Sequence, residues 1–183
     1  MLNLQRKSDL FFDSLPSYHN DYLDIGDGHK IYYEQYGNPN GKPILFLHGG
    51  PGAGFSSSHK GFFDPKVFRV IFFDQRGSGK SIPYAETDCN NTEALLSDIE
   101  CLRSLLNIDQ WYLFGGSWGS TLALLYGIKF PKKCLGFILR GIFLGSKEEV
   151  NWFLYDIKKF FPEAYDKFIS YVPLNFQNNV LEW

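Results

Sequence analysis

Four stretches of the chain are almost wholly apolar. They are PILFLHGG (43–50), VFRVIFFD (67–74), QWYLFGG (110–116) and CLGFILRG (134–141). Each is too short for a buried helix and has too few polar positions for a strand with one wet face. The pattern predicts strands buried on both sides of a parallel sheet. Ahead of them, YLDIGDGHKIYYEQYG (22–37) predicts a hairpin, with strands over 22–25 and 30–36 and Gly26-Asp27-Gly28 as the turn. NPNGKP (38–43) reads as a loop. Between the second and third apolar runs, TEALLSDIECLRSLL (92–106) places apolar residues at 95, 96, 99, 102, 105 and 106, which is helical spacing. Asn91 or Thr92 is suited to cap its start. A second helix over about 118–129 stops before Pro131. Buried strands alternating with helices give an α/β sandwich on a mostly parallel sheet. From residue 146 the pattern changes. Trp152, Phe153, Tyr155, Ile157, Phe160 and Phe161 recur at helical spacing among charges. Residues 1–145 therefore read as the sheet-bearing part and 146–183 as the start of a separate helical piece.

Composition narrows the function classes. A chain of 183 residues with 44% hydrophobic and 21% charged residues has enough apolar material for a sizeable core. The net charge of −2 gives no basis for a nucleic-acid or membrane-surface partner. Cys89, Cys101 and Cys134 are odd in number and form no C-x-x-C pair, so neither a disulfide framework nor a zinc site is expected. No H-E-x-x-H pattern or spaced Cys/His set implies another metal. No stretch reaches transmembrane length, and MLNLQRKSDLFFDSLP lacks the apolar run of a signal peptide. The expected location is cytoplasmic.

Three glycine-rich segments fall at carboxyl ends of predicted strands, where open α/β sheets gather their chemistry. They are HGGPGAG (48–54), DQRGSGKS (74–81) and GGSWGS (115–120). The last contains G-x-S-x-G between a buried strand and a helix. In that setting the serine sits on a tight, strained turn with its hydroxyl projecting above the sheet, so Ser117 is the candidate nucleophile. The backbone N–H of Trp118 is one candidate oxyanion donor, and that of Gly50, in the loop after the first buried strand, is the second. Two phosphate-binding readings fail. The glycines of 48–54 do not fit G-x-G-x-x-G and are interrupted by Pro51. GSGKS (77–81) lacks the upstream P-loop glycine, since Asp74 stands there, and it runs into Pro83 rather than a helix. Asp74 and Arg76 are expected instead to shape their loop through charge-assisted hydrogen bonds. His48 is expected to pack in the glycine loop rather than act as a base.

These segments, with LRGIFL at 139–144, closely resemble the proline iminopeptidases, serine peptidases of the α/β-hydrolase fold. The resemblance runs from about residue 12 to at least residue 175, and NWFLYDIKKFFPEAYDKFISYVP (151–173) resembles the family's first cap helices. It implies release of an N-terminal proline from a peptide by Ser117, with Gly50 and Trp118 holding the oxyanion and no cofactor. In this fold the triad runs Ser, then Asp or Glu, then His. His19, His29, His48 and His59 all precede Ser117. The expectation is a truncated hydrolase core that lacks its catalytic acid and histidine and is inactive alone. The alternatives are another α/β-hydrolase esterase, or a non-catalytic interaction protein. Loss of later strands would expose the run at 134–141 as an apolar edge prone to self-association.

Overall fold

The computed structural model describes residues 11–13 and 15–182; residues 1–10, where the signal-peptide reading chiefly falls, lie outside the described residues. The chain divides into two units, one running to Ile142 and the other starting at Phe143. The first holds a six-stranded sheet. β1 (His19–Gly26) and β2 (His29–Gly37) form the expected hairpin, followed by β3 (Lys42–Leu47), β4 (Phe68–Phe73), β5 (Trp111–Ser117) and β6 (Cys134–Ile142). Their order across the sheet is β1-β2-β4-β3-β5-β6. The hairpin joins antiparallel to β4, and β4, β3, β5 and β6 are parallel. Helix α1 (Thr92–Leu105) carries the chain from β4 over β3 to β5, and α2 (Trp118–Lys129) carries it on to β6. The connections that follow β3 and β5 therefore leave in opposite directions, which opens a crevice at the carboxyl ends of those two strands.

The side-chain period of two along each strand explains why the runs are apolar throughout. In β3, Leu45 and Leu47 face one core cluster while Ile44 and Phe46 face another; in β4, Ile71 and Phe73 divide from Val70 and Phe72 in the same way. The first cluster is covered by Leu95, Leu96, Ile99 and Leu102 of α1 and by Leu122, Ala123 and Tyr126 of α2. The second is aromatic, with Tyr36 and Phe63 closing over Phe46 and Phe72. Asn91 is the residue that caps α1: its side chain accepts the Ala94 N–H at 3.0 Å.

β6 carries the open apolar edge expected of the run at 134–141, not the burial on both faces its composition suggests. It pairs with β5 and forms one end of the described sheet, so Leu135, Phe137, Ile138 and Ile142 remain 43–57% exposed. An edge of this kind offers an unpaired row of backbone groups beside apolar side chains. The second unit contains α3 (Lys147–Leu154) and α4 (Pro162–Ile169). Ser146 and Glu149 form a capping box at the start of α3. Trp152, Phe153, Phe160 and Phe161 of this unit are exposed. Among the described residues no helix is long and apolar enough to cross a membrane.

Candidate active site

β5 ends at Ser117 and α2 begins at the next residue. Ser117 has φ 54° and ψ −124°, a conformation that a residue with a side chain adopts only when its surroundings impose it, at a cost of about 1–3 kcal/mol. The constraint comes from packing on both sides. A Cβ at Gly115 would lie 2.2 Å from the carbonyl oxygen of Gly119, and one at Gly119 would lie 2.1 Å from that of Leu47. Strand and helix therefore touch backbone to backbone, and the chain between them has one way to turn. The result leaves Ser117 exposed at the crevice while its neighbours at 115, 116, 119 and 120 are buried.

The glycine-rich loop after β3 passes directly against this serine. A Cβ built on Gly49 would sit 3.0 Å from the carbonyl oxygen of Gly116 and 3.3 Å from Ser117 Cβ. Gly50 follows with φ 123°. Several buried groups hold the loop. The His48 ring donates from Nδ1 to the Gly49 carbonyl at 2.9 Å and accepts the Gln75 N–H on Nε2 at 3.0 Å. Gln75 Nε2 donates to the His48 carbonyl at 3.0 Å, and Gln75 Oε1 accepts the Trp118 indole N–H at 3.0 Å. Asp74, also buried, accepts the Phe55 N–H on Oδ1 and the Lys80 N–H on Oδ2, each at 2.8 Å, which ties the loop after β3 to the loop after β4. The structure thus brings Ser117, Trp118 and the Gly49–Gly50 backbone into one place.

A cavity of about 210 Å³ opens beside Ser117 and the Gly49–Gly50 backbone, with Phe46, Phe62, Phe114, His59 and Arg140 on its walls. Arg140 reaches it from β6, where it pairs with Gly116. His59 belongs to a short 3-10 turn, Ser57–Phe62, and its ring lies 4.7 Å from Phe46 between centroids. Burial, then the nearby Arg140 charge, hold its pKa below the usual histidine value. His59 Nδ1 accepts the Ser56 N–H at 3.0 Å, so the neutral ring carries its proton on Nε2 and has no lone pair left to take one from Ser117. His48 is used up on both nitrogens, and burial disfavours its charged form. His19 contacts Tyr33 and His29 donates to the Asp88 carbonyl; neither lines the Ser117 cavity. Among the described residues no histidine is placed to activate Ser117.

The loop after β4 has a structural role. Arg76 is buried and bidentate to Asp98 of α1 at 2.8 and 2.9 Å, with further bonds to Asp27 and the Cys89 carbonyl. The Asp98 carboxylate raises the guanidinium above its already high range. Lys80 does not face a phosphate cradle. Its ammonium lies over the Tyr32 ring and 3.5 Å from Glu34. No helix intervenes between Ser81 and Thr92. Burial pushes the Glu34 carboxyl up, but hydrogen bonds from Ser17, Lys60 and Tyr32 outweigh it and hold it at about 2. Among the described residues no group of three or more His, Cys, Asp or Glu could hold a metal ion. Sequence reasoning did not place Gln75 or Arg140 at this site, because each reaches it only through segments that the fold brings together.

The profile of the alpha/beta hydrolase fold family matches residues 42–181. The protein named "Probable proline iminopeptidase" of Leptolyngbya boryana is 52% identical over 163 residues, covering 88% of this chain and 51% of that protein. The proline iminopeptidase of Neisseria gonorrhoeae is 46% identical over 167 residues, covering 90% and 54%. A solved proline iminopeptidase-related protein from Thermus thermophilus superposes with a TM-score of 0.59 at 31% identity, over 66% of this chain and 43% of that one. The chain thus spans about half the length of the curated relatives it matches. Sheet order, serine turn and family profile agree: the chain belongs to the α/β-hydrolase fold family.

Proposed function

We propose that this chain carries the nucleophile and the oxyanion donors of a serine aminopeptidase that releases N-terminal proline from peptides. The observation that carries the reading is the strained Ser117 turn with the Gly49–Gly50 backbone packed against it, in a chain whose curated relatives are named proline iminopeptidases. Ser117 Oγ attacks the prolyl carbonyl. The N–H groups of Trp118 and Gly50 receive the negative charge that develops on the carbonyl oxygen. Collapse of the tetrahedral intermediate transfers the prolyl group to Ser117 and expels the shortened peptide as an amine, and water then frees proline. The proton leaving Ser117 and the proton reaching the amine pass through a histidine held by an acidic residue. By the chain order of this fold both follow the serine, and we place them in the additional length of the relatives. The substrate is a peptide with a free N-terminal proline, the chemistry needs no cofactor, and the expected location is cytoplasmic. The open edge of β6 is where the rest of the sheet, or a second copy of this chain, would pair.

The test pairs this chain with the length its relatives add. The C-terminal half of the Leptolyngbya boryana relative is co-expressed with this chain, and prolyl, alanyl and leucyl coumarin amides are compared with p-nitrophenyl acetate. The reading expects prolyl amide hydrolysis that disappears with Ser117→Ala. A folded complex that cleaves the ester alone, or cleaves prolyl amide without Ser117, contradicts it.

A further inference from the structure

The Gln75 side chain bonds both to the loop that precedes Gly50 and to the residue that follows the serine. Its amide is buried and uses both ends. The Nε2 group donates to the His48 carbonyl and Oε1 accepts the Trp118 indole N–H, each at 3.0 Å. Its backbone N–H donates to His48 Nε2, and its backbone carbonyl accepts the Ser78 hydroxyl at 2.7 Å, so the residue is fixed before it reaches either neighbour. His48 stands two positions before Gly50 and hands its Nδ1 proton to the Gly49 carbonyl. Hydrogen bonds thus run from the Trp118 indole through the Gln75 amide to the His48 carbonyl, and the main chain, with the His48 ring bonded to the Gly49 carbonyl, carries the link on to Gly49 and Gly50. The two proposed oxyanion donors belong to different segments, which meet backbone to backbone where Gly49 approaches Gly116 and Gly119 approaches Leu47. A buried amide with both ends engaged adds a bonded link to those contacts, because either slippage leaves one end of the Gln75 amide unpaired.

We infer that Gln75 is a positioning residue, a cross-brace that sets the separation of the Gly50 and Trp118 N–H groups and thereby the strength of the oxyanion site. The inference rests on the proposed roles of those two groups for its catalytic consequence, but not for its geometry. Preorganised donors act only where they are already aimed at the developing charge. A brace of this kind therefore affects turnover more than substrate affinity.

The test separates geometry from chemistry. Amide and indole N–H signals are recorded by nitrogen-15 NMR for the 183-residue chain, for Gln75→Leu, and for Trp118→Phe, which cuts the same link from the other end and keeps the brace folded if the leucine variant does not fold. The wild-type indole N–H of Trp118, assigned by its loss in Trp118→Phe, is expected to exchange slowly, and the amides of Gly49 and Gly50 are expected to shift in both variants. An indole N–H that exchanges as fast as that of exposed Trp152, or Gly49 and Gly50 amides unmoved by either substitution, overturns the inference. In the completed two-part enzyme, kcat for the prolyl amide is expected to fall by about 10- to 100-fold in each variant, with KM within about threefold and the double variant no worse than the poorer single. Loss of thermal stability with kcat unchanged means Gln75 only packs, and overturns it. If the wild-type complex has no prolyl activity, the functional reading fails, and the NMR result decides the brace by itself.

Discussion

Replacing Gly119 by alanine sets two well-characterised effects against each other on one residue. Gly119 lies in the first turn of α2, where alanine in place of glycine gains about 0.5–1 kcal/mol of helix propensity. The structure opposes this. The new methyl carbon would lie 2.1 Å from the Leu47 carbonyl oxygen, 2.8 Å from its carbon and 3.0 Å from the His48 carbonyl oxygen. All three are backbone atoms, and Leu47 lies at the end of a strand paired on both sides. Restoring a contact of about 3.5 Å requires α2 to lift by roughly 1.4 Å. Leu122, Ala123 and Tyr126 are fully buried beneath that helix. A gap of 0.5–1 Å already forfeits about a quarter to a half of their dispersion attraction, which with Leu122 and Tyr126 worth roughly 1.5–3 kcal/mol each and the Ala123 methyl about 0.8 comes to about 1–3 kcal/mol. The loss exceeds the gain, and Gly119→Ala is expected to destabilise by about 1–2 kcal/mol. Gly127→Ala is the control in the same helix. Its Cβ would meet Phe137 Cζ at 2.4 Å, but that is the tip of a half-exposed side chain, which can swing aside. It is expected to change stability by no more than about 1 kcal/mol. Urea unfolding of both variants, followed by circular dichroism, measures the difference. A Gly119→Ala chain within about 0.5 kcal/mol of wild type, or more stable, would refute the backbone-contact argument for the serine turn.

Ser117→Gly is expected to raise stability by about 1 kcal/mol in the same assay, because glycine adopts φ 54° without strain, while removing the proposed nucleophile. Glu34 titrates at about 2 in the folded protein against 4.5 for an ordinary carboxyl, so its contribution is complete above about pH 4.5 and is lost as pH falls through 2. The span corresponds to roughly 3 kcal/mol, and Glu34→Gln is expected to flatten the stability profile between those two pH values. Asp74→Asn keeps one acceptor but turns an NH₂ toward the Phe55 or Lys80 N–H, and is expected to cost about 2–3 kcal/mol in urea unfolding. Ile138→Lys places a charge on the open β6 edge and is expected to shift the chain toward monomer in sedimentation velocity; an unchanged distribution would count against self-association there.

Much of this architecture was legible because burial on both faces leaves a mark on composition. The apolar runs ending at Leu47, Phe73 and Ser117 are strands, the hairpin turns where Gly26-Asp27-Gly28 stands, and α2 spans 118–129 and stops before Pro131 as expected. The serine turn was legible for a related reason: glycines two before and two after a serine, between a strand and a helix, have few other uses. What stayed hidden depends on contacts between distant segments. Arg76 pairs with Asp98, 22 residues on, and no local pattern names that partner. Gln75 looks like a spacer between two charged residues, and its role exists only because Trp118 arrives 43 residues later. The same limit applies to β6. Its composition reads as a central strand, and its place at an edge was expected only from the family resemblance, not from the run itself.

The central claim is that Ser117 is the nucleophile of a prolyl-cleaving site completed by sequence beyond this chain. A diphenyl phosphonate analogue of proline forms a stable bond with a serine that attacks it. Treating this chain alone and the two-part complex with that reagent, followed by peptide mass spectrometry, tests the claim most directly. The account predicts a phosphonyl adduct on Ser117 in the complex and little or none on the isolated chain. An adduct on another residue, or equal labelling of Ser117 in the isolated chain, would contradict it.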